Sequence, residues 1–121
     1  MLNKPKYTLF KNTSYALSGL VDILKTEKSL RLQILLFVIL TIIVWSLPLT
    51  LISKFVLQAV SFLPIYSEIV NSAIERVVDL VTTDYHILAK KAKDVGATLV
   101  FISFSIEFVV WVITLYMNFF S

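Results

Sequence analysis

The sequence predicts an all-α integral membrane protein with three transmembrane helices and an N-terminal amphipathic surface helix. Its 121 residues are 58% hydrophobic, the mean hydropathy is +0.86 and only 16% of the residues are charged. A domain of this length buries too small a fraction of its surface to hide so much apolar area from water. The apolar residues also form long runs, which is typical of segments that cross a bilayer. Residues 1–121 are therefore interpreted as one membrane domain.

Residues 1–28 are predicted to contain the surface helix, which follows a basic, loosely ordered start over residues 1–11 and has Asn12, Thr13 or Ser14 as its N-cap. Apolar residues then recur at positions i, i+3, i+4 and i+7: Leu17, Leu20, Val21 and Leu24. This spacing places them on one helix face, which suits a helix lying on the membrane surface. A short helix that packs against its own protein gives the same pattern, so both interpretations stay open at this point.

Three apolar segments follow, at about residues 29–48, 51–80 and 94–118. Each is long enough to cross a hydrocarbon core of about 30 Å, which takes about 20 helical residues. Pro48 ends the first segment, and Pro64 is expected to kink the second because proline has no N–H to donate. The sequence therefore predicts three membrane spans.

Lysine and arginine residues predict the orientation of these spans. They concentrate before residue 32 and between residues 76 and 93, while Lys54 lies in the first turn and no basic residue follows Lys93. Because cytoplasmic loops carry the excess of positive charge, we expect the N-terminus and the 76–93 region in the cytoplasm and the C-terminus outside.

Residues 68–79 carry a polar stripe within one arc of roughly 60–100°, formed by Glu68, Asn71, Ser72, Glu75 and Asp79. Carboxylates gathered in this way repel one another and are costly to desolvate, so a cation is expected beside them. Mg²⁺ takes one or two carboxylates plus phosphate oxygens, and a carboxylate at the membrane boundary could accept a proton from a lipid hydroxyl. A single carboxylate could serve as a structural partner for a lysine or a neighbouring helix, but three carboxylates with an amide favour a binding site.

Several other classes of site find no support in the sequence. The two glycines, Gly19 and Gly96, form no phosphate-binding loop, and the chain has no cysteine. Any nucleotide must therefore be held by side chains and a metal ion, and no nucleic-acid partner is expected. His86 alone is more often a loop residue than a ligand, and the lysines at 90, 91 and 93 alone would indicate membrane topology.

The motif over residues 68–79, together with Tyr85-His86 and Ala92-Lys93-Asp94-x-Gly96, closely resembles the signature of the small prokaryotic diacylglycerol kinases. The similarity extends to Tyr15, Gly19-Leu20, Glu27 and Arg31, and so spans nearly the whole chain. The resemblance implies a homotrimer in the bacterial inner membrane, with active sites shared between subunits, that transfers phosphate from ATP to a membrane lipid with Mg²⁺.

The resemblance also implies a role for individual residues. Glu68 would be the general base, Asn71 would support the reacting centre, and Asp79 belongs to the same catalytic motif. Glu27 and Glu75 would bind the Mg²⁺ that bridges the ATP phosphates. The remaining nucleotide contacts would be Tyr15, Asp84, Tyr85, His86, Lys93 and Asp94.

Three positions depart from the enteric relatives. Thr8 stands where they have arginine, Gln33 where they have glutamate, and Glu107 where they have a small apolar residue. Glu107 shares a stripe of about 60° with other polar residues of the third span, namely Ser103, Thr114 and Asn118. Because a carboxylate at that depth is costly, Glu107 is expected to face the bundle interior and to be protonated or hydrogen-bonded between helices.

The leading function is phosphorylation of diacylglycerol to phosphatidic acid, and the alternative is an undecaprenol kinase. The run Leu88-Ala89-Lys90-x-Ala92-Lys93-Asp94 resembles the undecaprenol enzymes, whereas Asn71-Ser72 and Tyr85-His86 resemble the diacylglycerol enzymes. A proton- or ion-conducting oligomer, with Glu68, Glu75 and Glu107 as a relay, is a more distant hypothesis. A purely structural membrane protein is the least favoured.

Overall fold

The computed structural model describes residues 7–121, which form five α-helices and no strand. The helices are α1 (Leu9–Thr26), α2 (Lys28–Ser46), α3 (Leu51–Val60), α4 (Phe62–Val81) and α5 (Ile87–Phe119). The prediction of an all-α chain is confirmed. Positions 1–6 of the predicted surface helix lie outside the described residues.

Helix α1 begins at Leu9, earlier than the cap residues Asn12, Thr13 and Ser14 had predicted. Thr8 is the N-cap, because its hydroxyl accepts a hydrogen bond of 3.1 Å from the backbone N–H of Lys11. The helix ends at Glu27, whose extended backbone separates α1 from α2. Arg31 then donates from Nη1 to the carbonyl oxygens of Leu24 and Lys25, at 2.8 and 3.2 Å, and so satisfies the end of α1.

Two helices in the described residues are long and apolar enough to cross a membrane, α2 with 19 residues and α5 with 33. Helix α5 begins at Ile87, so the predicted third span, which starts at about residue 94, lies wholly inside it. His86 is the N-cap of α5, since its Nδ1 accepts a hydrogen bond of 3.1 Å from the N–H of Leu88. The first two turns of α5 thus precede the apolar part of the helix.

The predicted second span consists of two helices, α3 and α4, with a break at Ser61. The break places Pro64 in the first turn of α4, where a missing N–H costs no intrahelical hydrogen bond. Ser61 closes α3, with its hydroxyl donating to the carbonyl oxygen of Gln58 at 2.6 Å. The kink expected at Pro64 is therefore a change of helix three residues earlier.

Helices α4 and α5 run antiparallel and form the main helix contact. Successive pairs link them from the loop inward: Asp79 with Lys93, Asn71 with Gly96, and Ser67 with Ser103. Helix α2 packs against both α3 and α4. At the opposite end, Val44, Leu49 and Leu57 form the apolar cluster that closes the bundle. The polar residues of α4 are thus held between α2 on one side and α5 on the other.

Candidate functional site

Glu68 is the buried carboxylate of the site, with 7% of the residue exposed. Two uncharged donors on α2 hold it: the hydroxyl of Ser29 donates to Oε1 at 2.7 Å, and Nε2 of Gln33 donates to Oε2 at 3.1 Å. Ser29 and Gln33 are four residues apart and therefore lie on one face of α2. Each carboxylate oxygen receives one hydrogen bond, so the side chain has a fixed orientation and its remaining lone pairs are available.

Asn71 and Glu75 lie one and two turns further towards the loop. Nδ2 of Asn71 donates to Oε1 of Glu75 at 3.3 Å, while Oδ1 of Asn71 is buried and has no hydrogen-bond partner among residues 7–121. Gly96 of α5 covers Asn71 so closely that a Cβ built on the glycine would overlap Oδ1. Glycine at position 96 therefore lets α5 approach the amide, and the pair fixes the local helix separation.

Asp79 and Lys93 form an exposed ion pair at the loop end of the same helices, with Nζ and Oδ1 2.7 Å apart. The hydrogen bond to Asp79 raises the pKa of the Lys93 ammonium group above its usual value, against a smaller opposing effect of desolvation. Asp94 pairs with Lys90 one turn away, at 2.6 Å. Three residues of the predicted site, Asp79, Lys93 and Asp94, thus lie together at one charged surface.

Asp84, Tyr85 and His86 lie in the turn between α4 and α5 and line a cavity of about 600 Å³. Val77, Val78 and Val81 of α4 and Leu88, Ala89 and Ala92 of α5 form its walls. The Tyr85 ring is 81% exposed, whereas His86 is engaged as the N-cap of α5. The cavity is large enough for a small ligand and combines apolar walls with a few polar groups.

Tyr15 and Glu27 belong to the N-terminal part of the site. Tyr15 lies exposed on α1, and Glu27 is half-buried at the junction between α1 and α2. Arg76 of α4 anchors α1: its Nη1 contacts the carboxylate of Asp22, and its Nη2 donates to the Thr26 hydroxyl at 2.8 Å. Arg76 follows Glu75 directly, and Thr26 directly precedes Glu27. These contacts therefore hold the α1–α2 junction beside the acidic stripe.

The carboxylates of the site bear on whether it could hold a metal ion. Among the described residues, no group of three or more His, Asp or Glu side chains is arranged to hold a metal ion. The Glu75 carboxylate, which accepts one hydrogen bond from Asn71, is an oxygen donor of the kind that suits a hard cation completed by ligand oxygens.

Sequence reasoning missed Ser29 and Arg76 and treated Gln33 only as a departure. Ser29 and Gln33 carried a signal in their i, i+4 spacing on an otherwise apolar helix. For Arg76, Asp22 and Thr26 share one face of α1 at the same spacing, but nothing in the sequence pairs that face with α4.

Glu107 lies within α5 and is only 5% exposed, as the predicted interior position required. Ser103 and Thr114 of the same stripe are also buried, and Asn118 donates to the Ser53 hydroxyl at 2.9 Å. Oε1 of Glu107 has no hydrogen-bond partner in the described part of the chain.

Comparison with known proteins places the whole site inside one family match. The sequence model described as Prokaryotic diacylglycerol kinase matches residues 14–115, which include every predicted site residue from Tyr15 to Asp94. The chain is 36% identical over 103 residues to a diacylglycerol kinase of Haemophilus influenzae, covering 85% of this chain and 87% of that one. It is 33% identical over 99 residues to that of Pseudomonas aeruginosa, covering 82% and 80%, and 31% identical over 111 residues to that of Escherichia coli K12, covering 92% and 91%.

Proposed function

The chain belongs to the prokaryotic diacylglycerol kinase family, and on that premise we propose that this lipid kinase phosphorylates diacylglycerol with ATP at the cytoplasmic face of the inner membrane. The product is phosphatidic acid. The observation that carries the proposal is the buried Glu68 carboxylate, which accepts hydrogen bonds from two neutral side chains near the start of α2.

Glu68 acts as the general base on the free hydroxyl of the lipid. Ser29 and Gln33 orient the carboxylate without neutralising its charge, because neither donor is cationic. Asp79, by contrast, is engaged in an ion pair with Lys93. The hydroxyl of a diacylglycerol lies at the membrane interface, so the base must be reached from the bilayer while the phosphate donor arrives from water. A general base of this kind contributes about 10²–10⁴ in rate.

Glu27 and Glu75 would hold Mg²⁺, with Asn71 supporting Glu75 through its Nδ2 hydrogen bond. The metal ion, when bound with ATP, neutralises the phosphate charge that develops during phosphoryl transfer. Lys93 and Asp94, at the exposed end of α4 and α5, contact the nucleotide together with Tyr15. Asp84, Tyr85 and His86 add the turn cavity, whose aromatic and polar groups suit a nucleoside.

Three spans per protomer and a homotrimer with shared sites complete the proposal. Helices α2 and α5 each supply one span, and α3 with α4 together supply the third. The homotrimer with shared sites rests on the family to which the chain belongs. The N-terminus lies in the cytoplasm and the C-terminus outside.

The test is ATP-dependent phosphorylation in mixed micelles that contain diacylglycerol and undecaprenol, for the wild type and Glu68→Gln. We expect phosphate on diacylglycerol and a loss of at least about 100-fold in kcat in the variant. Gln58→Met is the matched control, because Gln58 also links its helix to α2, through Thr41 at 3.0 Å and Trp45 at 2.9 Å. This control tests whether a lost attachment to α2 is enough to lower the rate.

Phosphate on undecaprenol alone would keep the mechanism and change the acceptor. Transfer to neither lipid, by a folded protein, would contradict the kinase proposal. Current or proton flux without nucleotide would instead favour the conducting oligomer.

A further inference from the structure

Glu107 is a buried acid that the proposed reaction does not use. It lines a narrow space of about 10 Å³ between α2, α5 and the start of α4, together with Gln33, Ser61 and Pro64. The remaining walls are apolar: Leu36, Phe37, Leu40 and Phe104. About 10–15 Å³ of such space holds one water molecule, provided that polar groups surround it. Gln33, Ser61 and Glu107 supply those groups.

The surroundings of Glu107 determine its charge state. No residue lining the space carries a positive charge, and the ion pairs of the described chain involve Asp22, Asp79 and Asp94 but not Glu107. Oε1 of Glu107 receives no hydrogen bond within the described chain, and an unpaired carboxylate is far costlier to bury than a neutral carboxyl group. Burial therefore favours the neutral acid, which has an O–H to donate.

Gln33 presents the matching acceptor. Its Nε2 donates to Glu68, while its Oε1 is buried and has no partner in residues 7–121. The amide can turn over about its last side-chain bond, and that rotation would present an oxygen instead of an N–H to the Glu68 carboxylate. A donor on the Oε1 side would prevent the rotation, because the rotated amide would then meet that donor with its own N–H.

We propose that Glu107 is a positioning residue for Glu68 and acts through Gln33. The neutral carboxyl group of Glu107 donates a hydrogen bond to one water in this narrow space, and the water donates to Oε1 of Gln33. The amide is thereby fixed with Nε2 towards Glu68, and a polar chain runs from the middle of α5 to the catalytic carboxylate. This inference rests on the proposed function only in naming Glu68 as the base; the polar chain itself is a statement about structure.

Infrared difference spectroscopy on the micellar protein tests the chain without any turnover. The spectrum of the wild type minus that of Glu107→Gln is expected to contain the carbonyl band of a protonated carboxylic acid at neutral pH. Gln33→Leu is expected to shift that band, since it removes the acceptor, whereas Gly19→Ala on α1, where a Cβ meets no heavy atom within 4 Å, leaves it in place. Absence of the band, or a band that ignores Gln33→Leu, overturns the proposal.

Kinetics then test the positioning role. Glu107→Leu is expected to lower kcat about 10-fold or more with KM for ATP within about twofold, and Glu107→Gln to stay within about threefold of wild type because its amide still donates. In Gln33→Leu, adding Glu107→Leu is expected to cost no further activity. Fully additive losses, or an unchanged kcat in folded Glu107→Leu, would contradict the role.

The isosteric Glu107→Gln protein guards against a failure to fold in Glu107→Leu. If Glu68→Gln kept full activity, the assignment of the base would fail, while the infrared band and its shift would still decide whether Glu107 and Gln33 are linked.

Discussion

Glu68 and Asp79 are carboxylates on the same face of α4, yet the protein holds them in opposite ways. Glu68 is buried and receives hydrogen bonds from two neutral side chains of α2. Asp79 is half-exposed and pairs with a lysine of α5. Neutral donors orient a carboxylate without compensating its charge, so the charge remains available for proton abstraction. A lysine compensates that charge in the ion pair. The comparison supports the proposal of Glu68 as the base, and we propose that Asp79 positions Lys93.

The two ends of the α4–α5 contact also differ in how they respond to change. The inner end depends on close fit between buried groups, and the outer end depends on charges that water and salt screen. Substitutions at the inner end should therefore cost most, and those at the outer end least.

The largest loss of stability is expected for Gly96→Ala at the inner end. The new methyl group would overlap Oδ1 of Asn71 and lie within 3.6 Å of Ile74 Cδ1, so either the buried Asn71 amide or α5 must shift. Overpacking of this kind costs about 1–3 kcal/mol. Thermal unfolding in detergent micelles measures it. Gly19→Ala on α1 is the control, because no heavy atom lies within 4 Å of a Cβ there, and the change should be neutral or stabilising by up to about 1 kcal/mol. Equal losses from both substitutions would refute the close fit at Asn71.

A loosened α1 is the next effect expected, from Arg76→Gln. The substitution removes the contacts to Asp22 and Thr26 that attach α1 to α4, while the buried residues of α4 stay in place. Amide hydrogen exchange should rise along α1 and stay unchanged at the Ser67–Ser103 contact. Protection of α1 that survives the change would mean that Ile23, its one buried residue, holds the helix by itself.

The smallest effects are expected for the ion pairs at the outer end. Lys90→Met removes an exposed pair at i, i+4 and should cost less than about 0.5 kcal/mol. Urea or thermal unfolding at low and high salt measures the cost, and an equal value at both salt concentrations would contradict a screened surface interaction.

The Asp79–Lys93 pair predicts a dependence on pH with a definite sign. Because the pKa of Lys93 is raised above the value of 10.5 for an unperturbed lysine, the folded state binds the proton more tightly than the unfolded state. The contribution of the pair to stability should be fully present below pH 10.5 and be lost as the pH rises through the raised pKa. The difference in unfolding temperature between the wild type and Lys93→Met should therefore be constant up to about pH 10 and shrink above it.

The all-α class, the membrane character and the place of the acidic stripe all follow from the amino-acid sequence. Long apolar runs form helices in lipid, since a helix satisfies all its backbone hydrogen bonds within one segment. The 3.6-residue period then fixes which of Glu68, Asn71 and Glu75 share a face, whatever the helix packs against. The buried position of Glu107 followed in the same way, from the cost of a carboxylate at that depth.

The residues that face one another across the helix contacts are known only from the tertiary packing. Period and composition contain no information on the rotation of α2 about its axis, so Ser29 and Gln33 became partners of Glu68 only when the helices were packed. The same holds for Arg76 with Asp22, and for Gly96 with Asn71, because these pairs join residues far apart in sequence. The break at Ser61 depended on packing too: a proline can kink a helix or begin a new one, and its neighbours choose between them.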